Sequence, residues 1–318
     1  MMKIGYFGDG PWAHNAFKKL VEDKTISIKF VTVRFDTQDS VLIALAKEHN
    51  IPVELSANIN SNEFLQRINK YNVDLFVSMS FNQIFKTKTI NYPHLKTINC
   101  HAGKLPFYRG RNILNWVLIN DEKEFGITVH YVDDGIDTGD IILQKTYPIT
   151  DDDDYGTLLE RAYIGCADAL YEAIKQIQAG TVKITKQNTI DSVGLYCGSR
   201  RQGDEFINWN STSREIFNFV RAVAKPGPMA TSTLNGRKIK INRVREIPSA
   251  RKYINIPGQI LGKTQSGFYV KTKDTFVEVI EYEYDGKIKT SERFTPPPRL
   301  YRKYKLHLGS CSIGGRAA

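Results

Sequence analysis

The chain has 318 residues, 41% hydrophobic and 25% charged, enough for two domains with cores of their own, and its net charge of +10 is uneven: residues 1–199 hold 21 Lys and Arg against 24 Asp and Glu, residues 200–318 hold 23 against 10. The four cysteines, Cys100, Cys166, Cys197 and Cys311, lie far apart with no Cys-x-x-Cys pair, a spacing that argues against a zinc ribbon or dithiol redox site and predicts reduced thiols. No stretch approaches the ~18 apolar residues of a membrane span, and the opening run MMKIGYFGDG reads as a strand rather than a signal peptide; the expectation is a cytoplasmic protein with no membrane partner.

In chain order, the pattern predicts a strand over residues 3–7, a helix from about Trp12, a strand over 26–34, a helix over 41–50 and strands over 74–80 and 95–101. Alternation of this kind is that of a wound α/β sheet, Rossmann-like, with mainly parallel strands. Gly8-Asp9-Gly10-Pro11-Trp12-Ala13 formally fits Gly-x-Gly-x-x-Ala, yet Pro11 removes a backbone N–H that a pyrophosphate would need, so a tight β-to-α turn and a loop touching another nucleotide both remain open. Asp151 to Asp154 precede a long amphipathic helix that runs from about Tyr155 to near Gly180, where acids serve as caps, and no metal is expected there. A further helix, SREIFNFVRAVAK, stops at Pro226-Gly227-Pro228. Beyond it, β-like runs over 238–244, 267–271 and 276–284, separated by turns at Asn235-Gly236, Gly262 and Asp285-Gly286, predict a smaller antiparallel β-barrel-like domain. The expected division is 1–200, 201–308, and a final 309–318 that reads as an expression scar.

The chemistry concentrates in Asn99-Cys100-His101 and in Asp137, on the Gly-rich segment 133–140. Alternation along a strand puts Asn99 and His101 on one face, about 7 Å apart, at the carboxyl end where wound sheets bind ligands. An amide donor, an imidazole and a carboxylate can supply an oxyanion stabiliser, a general base and a group that orients the base. His14, His49, His94 and His130 read as turn or packing residues.

Asn99-Cys100-His101 with Leu105-Pro106 and Arg109-Gly110, and the run from Asp133 to Ile142, resemble the 10-formyltetrahydrofolate-dependent formyltransferases, and the likeness continues through Arg221-Ala222-Val223 and Pro226-Gly227-Pro228. The resemblance implies transfer of a formyl group from 10-formyltetrahydrofolate to an amine without a metal. Asn99, His101 and Asp137 fall on the family's catalytic positions. It places folate between Ser80-Phe81-Asn82-Gln83-Ile84 and Val132-Asp133-Asp134-Gly135, and suggests a homodimer through the β-rich domain. Three acceptors are known in the family. Members acting on glycinamide ribonucleotide have essentially only the first domain. Those acting on methionyl-tRNA usually carry a Pro- and Lys-rich insertion after the second strand, and here 34–38 passes directly into the next helix. Arg109-Gly110-Arg111 and 115–120 are most similar to sugar-nucleotide N-formyltransferases. The resulting expectation is formylation of a nucleotide-linked amino sugar, of the dTDP-amino-dideoxyhexose type, for a surface glycan such as O-antigen. On that expectation Tyr6 and Trp12 stack a base or sugar and Arg109, Arg111, Arg200 and Arg201 meet the pyrophosphate, although core packing for the aromatics and solvated surface for the arginines remain open. The alternatives are a methionyl-tRNA formyltransferase, a nucleic-acid-binding module on a degenerate catalytic domain, and hydrolysis of 10-formyltetrahydrofolate.

Overall fold

The computed structural model describes residues 1–295, so Cys311 and the stretch read as an expression scar lie outside the described residues. The chain falls into two compact units: Met1–Arg200 with Asn218–Pro228, and Arg201–Phe217 with the described residues from Met229 on.

The first unit holds a six-stranded sheet in the order β2-β1-β3-β4-β6-β7, made of β1 (Met2–Gly8), β2 (Ile26–Thr32), β3 (Leu75–Met79), β4 (Thr97–His101), β6 (Glu124–Tyr131) and β7 (Ile141–Pro148). A two-residue β5 (Arg109–Gly110) pairs outside that sheet with β8 (Tyr196–Cys197). The helices are α1 (Gly10–Glu22), α2 (Ser40–Glu48), α3 (Asn62–Ile68), the single turn α4 (Thr87–Ile90), α5 (Ile113–Ile119) and α6 (Tyr155–Ala179). The first four strands pair in parallel, whereas β6 runs antiparallel to β4 and β7 antiparallel to β6.

Alternation along the central strands feeds two cores. Ile4 and Tyr6 of β1, Val77 of β3 and Ile98 and Cys100 of β4 point into the layer shared with α1 and α6. Phe7, Phe30 and Phe76 point the other way and pack edge-on around Phe64 and Phe85. Each buried aromatic contributes roughly 1.5–3 kcal/mol of transfer free energy, which makes this face a rigid platform. α6 begins in a capping box, Asp154 accepting from the Thr157 N–H and the Thr157 side chain accepting from the Asp154 N–H, and ends at Gly180 in the left-handed conformation. Asp153 accepts from Thr150 and Arg161, so two of the four consecutive acids serve the helix start.

The opening turn answers to its own helix. Asp39, beyond β2, accepts from the Gly10 N–H at 2.7 Å and faces Nε2 of His14 at 2.6 Å, so a carboxylate already occupies the start of α1. The first unit also reclaims 218–228: Asn115 donates to the Ala222 carbonyl at 2.5 Å and Arg221 to the Thr150 carbonyl at 2.7 Å.

The second unit is an antiparallel sheet in the order β11-β12-β13-β10-β9-β14, comprising β9 (Ala230–Leu234), β10 (Arg237–Glu246), β11 (Ile260–Lys263), β12 (Phe268–Lys271), β13 (Phe276–Glu283) and β14 (Phe294–Thr295). A bridge between Gln259 and Arg293 ties its two edges, giving the expected barrel-like curl. Asn235 and Gly236, both with positive φ, make the predicted tight turn between β9 and β10. Gly262 is no turn: it lies inside β11, where the register with β12 shifts. Helix α7 (Ser213–Ala222) begins in this unit and ends in the first. Among the described residues no helix is long and apolar enough to cross a membrane.

Candidate active site

A cleft of about 670 Å³ opens at the carboxyl ends of β3 and β4 in the first unit, and Asn99, His101 and Asp137 all line it. Because Ile98 and Cys100 are taken by the core, Asn99 and His101 emerge together on the other face. β6 brings a third polar side chain beside them, since His130 is the cross-strand partner of Asn99. Asp137 arrives on the loop between β6 and β7 with a left-handed backbone, φ 54°. That loop is organised by Asp133, which accepts from the Gly135 N–H at 3.1 Å and the Thr138 hydroxyl at 2.6 Å.

Oδ2 of Asp137 lies 3.6 Å from Nδ1 of His101 and Oδ1 lies 3.5 Å from Nε2 of His130. The Gly110 N–H donates to Oδ2 at 2.9 Å. Nε2 of His101 is 2.7 Å from the Tyr108 carbonyl, an acceptor only, so that nitrogen carries the hydrogen and Nδ1 presents its lone pair towards Asp137. The same reasoning at His130, whose Nδ1 is 2.8 Å from the Tyr131 carbonyl, leaves Nε2 to accept from Nδ2 of Asn99 at 3.4 Å. The Asn99 amide is thereby turned with its NH₂ towards His130.

Burial pushes His101 below the ordinary imidazole value, and the charge of Asp137 offsets this only in part. At Asp137 burial acts upwards. It is outweighed by the nearby imidazoles of His101 and then His130 and by the Gly110 N–H, and the carboxyl sits well below the usual carboxylate range. The site therefore couples an imidazole that is neutral near pH 7 to a permanently ionised carboxylate, with an amide donor alongside, an arrangement able to accept a proton and to stabilise the cation that results.

The predicted folate residues divide. Ser80, Phe81, Asn82, Gln83, Ile84, Val132, Asp133 and Gly135 line the cleft, whereas Asp134 faces a neighbouring hollow and accepts from the Thr87 hydroxyl at 2.8 Å. The Gln83 amide is engaged with the chain itself, accepting from the Ile59 N–H and donating to the Ser56 carbonyl. Asn82 donates to Asp36, while its buried Oδ1 has no partner among the described residues.

The predicted sugar-nucleotide residues fare less well. Trp12, Arg111 and Arg200 line the cleft, with Arg200 over the rings of Trp116 and Phe219. Tyr6 cannot stack on a ligand, because β1 is covered on both faces: its ring is fully buried and its hydroxyl donates to the Ala13 carbonyl. Arg109 is buried as well, its guanidinium bound to Gln187, the Val193 carbonyl and the Tyr196 hydroxyl. Arg201 lies outside the cleft lining and belongs to the second unit. His130, read from the sequence as a turn or packing residue, is buried on β6 and in addition lines the site. The signal was its place two residues beyond Thr128 on a strand, but only the β4–β6 register sets it opposite Asn99.

The Formyl transferase family model matches residues 2–174, and the family's C-terminal domain matches 200–294. The chain belongs to the formyl transferase family. A methionyl-tRNA formyltransferase of Geotalea daltonii is 30% identical over 293 residues, 90% of this chain and 92% of the relative. One from Geobacter metallireducens is 32% identical over 247 residues, 78% and 77%. Among solved structures, WlaRD, a sugar 3N-formyl transferase crystallised with dTDP and 5-N-formyl-THF, superposes with a TM-score of 0.64 at 24% identity, covering 89% of this chain and 98% of that one. These relatives overturn the expected amino-sugar acceptor: the likeness in sequence over most of the chain is to methionyl-tRNA enzymes, and at 24% identity the sugar enzyme shares the fold. The missing insertion after β2 misled because one surface loop tolerates length change without altering the scaffold beneath it.

Proposed function

We propose that this formyltransferase moves the formyl group of 10-formyltetrahydrofolate to the α-amino group of methionyl-tRNA. The observation that carries the reading is the convergence of Asn99, His101 and Asp137 on one cleft, in a chain whose relatives over most of its length act on methionyl-tRNA. The amine nitrogen attacks the formyl carbon, whose oxygen takes on negative charge as the tetrahedral intermediate forms. Asn99, its amide turned by His130, donates to that oxygen. His101 takes the proton leaving the nitrogen at Nδ1, the atom that faces Asp137, so the imidazolium forms 3.6 Å from a carboxylate already ionised. Collapse breaks the bond to the folate nitrogen, which takes up the proton held by the His101 imidazolium and leaves as tetrahydrofolate.

Folate recognition is supported by Oδ1 of Asn82, a buried acceptor without a partner among the described residues and suited to a pterin N–H. Recognition of the tRNA is supported by the 23 Lys and Arg against 10 Asp and Glu in residues 200–318, a balance suited to a phosphate backbone. The link between β2 and α2 is short, so the grip on the acceptor falls to these cations.

The test incubates the full chain with 10-formyltetrahydrofolate and methionyl-tRNA, releases the amino acid with mild base and weighs it. The expected product is N-formylmethionine, formed only when the tRNA is aminoacylated. Consumption of the folate at the same rate with no acceptor present, or no formyl on methionine, would overturn the reading.

A further inference from the structure

Asp137 holds its carboxylate between two imidazoles from a left-handed backbone, a conformation that costs a non-glycine residue about 1 kcal/mol and persists only where the surroundings over-determine it. The surroundings here include a residue 50 positions further along the chain. Gln187 follows α6 and is 3% exposed. Its Nε2 donates to the Asp137 carbonyl at 2.8 Å and to the Gly139 carbonyl at 2.7 Å, so it binds the loop on both sides of the turn. Its Oε1 accepts from Nε of Arg109 at 3.0 Å and from Nη2 at 2.8 Å.

A guanidinium offers only donors and a carbonyl only accepts, so the amide has one workable orientation, and Arg109 enforces it. Arg109 is itself fixed, through Val193, the Tyr196 hydroxyl and the Tyr196 ring at 5.1 Å. The residue after Arg109 is Gly110, whose N–H donates to the Asp137 carboxylate. Adjacent residues of β5 thus reach the acid by two routes, one through Gln187 to its backbone and one directly to its side chain. Gly110 is suited to this place: its φ is +99°, and a Cβ there would lie 2.4 Å from the Cys197 carbonyl oxygen. Neither Gln187 nor Arg109 lines the cleft, so Gln187 acts on the site through the Asp137 loop, while Arg109 also flanks Tyr108, whose carbonyl holds His101.

We propose that Gln187, locked by Arg109, is a positioning residue that sets the backbone of Asp137 and with it the distance from the carboxylate to His101. This rests on the reading of Asp137 as the acid of formyl transfer. Two variants separate the parts. Gln187→Met keeps length and loses both donors and the acceptor. Gln187→Glu keeps an acceptor for Arg109 and sets oxygen against the two loop carbonyls.

In the full chain, assayed with 10-formyltetrahydrofolate and methionyl-tRNA, each should lower kcat by about ten- to a hundredfold, the scale of a displacement of order 1 Å, with KM for both substrates within about twofold. A second readout needs no substrate. Titration of the His101 imidazole by NMR, assigned with His101→Asn, should give a lower pKa in Gln187→Met than in the wild type, because the Asp137 charge that raises it has receded.

Unchanged kcat in a folded variant would overturn the proposal, as would a fall in kcat that tracks a lower Tm while the His101 titration stays put. Should Gln187→Met fail to fold, Gln187→Glu decides on the fall in kcat at unchanged KM. Asp137→Asn is the control: if it is inactive while the Gln187 variants are normal, only the clamp is wrong, and if it is fully active the assignment of Asp137 falls too. If the wild type does not formylate methionyl-tRNA, the acceptor is wrong and the NMR titration still decides the clamp.

Discussion

Replacing Gly103 by alanine should disable the site through a single methyl group. Gly103 lies just beyond β4, and a Cβ built on it would stand 2.5 Å from Nε2 of His101 and 2.6 Å from the Tyr108 carbonyl oxygen, the two atoms that form the 2.7 Å hydrogen bond holding the ring. Ordinary contact begins near 3.4 Å, so the ring must give way by about 0.9 Å or the bond must open. Gly103 has no positive φ, so alanine adds no left-handed backbone strain and its effect is steric. A misplacement of order 1 Å in a reacting group costs roughly 10²-fold in rate, equivalent to about 2.7 kcal/mol of barrier. The overpacking itself should cost about 1–3 kcal/mol of stability. The assay is single-turnover formyl transfer at saturating 10-formyltetrahydrofolate and methionyl-tRNA, with circular dichroism to show that the variant is folded. A folded Gly103→Ala enzyme with a rate within twofold of the wild type would refute the claim that the Tyr108 carbonyl fixes the tautomer and position of His101.

The rate should also depend on pH in a definite sense: His101 works as the neutral base, so activity is present above its pKa and lost as pH falls through it. Two ionisations shape the acid side of kcat/KM, the acceptor's own α-amino group near ~7.7–8.0 and His101; because burial moves the His101 pKa down from 6.5, its step should lie below the ordinary histidine value, and Asp137→Asn should move that step lower still in whatever activity remains, whereas an Asp137-sensitive step above 6.5 would contradict this. Tyr6→Phe removes the bond to the Ala13 carbonyl deep in the core, and should cost about 1–3 kcal/mol in urea unfolding while leaving KM for both substrates unchanged; a raised KM would return Tyr6 to the substrate site. Raising salt from 50 to 200 mM should weaken methionyl-tRNA binding by at least about tenfold while hardly changing KM for the folate, as expected when cations neutralise phosphates; salt-independent binding would contradict the role given to residues 200–318.

What could be read from the sequence was what depends on local period. Asn99 and His101 share a face because a strand alternates, and α6 was visible in its three- and four-residue apolar spacing closed by Gly180. The antiparallel placement of β6 and β7 was not visible, since strand order is settled by tertiary pairing. His130 was missed for the same reason: its function depends on lying across from Asn99, and register is no property of a single strand. Tyr6 and Arg109 looked like ligand contacts because aromatic and guanidinium groups serve binding and packing equally, and only burial tells the two apart. Gln187 carried no signal at all, being 78 residues from Arg109 and meeting it only in the folded chain. The expected amino-sugar acceptor leaned on an absent loop and on the short runs 109–111 and 115–120, whereas the likeness spread over most of the chain is to methionyl-tRNA formyltransferases.

The most direct test of the account is kcat for His101→Asn with both substrates saturating, beside the wild type on the same methionyl-tRNA. The account predicts a loss of at least about 10²-fold, the usual contribution of a positioned general base, in a protein of unchanged fold with KM little altered. Turnover near the wild-type value in that variant would contradict it and would pass the role of base to His130, the other cleft imidazole that faces Asp137 and is held on its far side by a carbonyl.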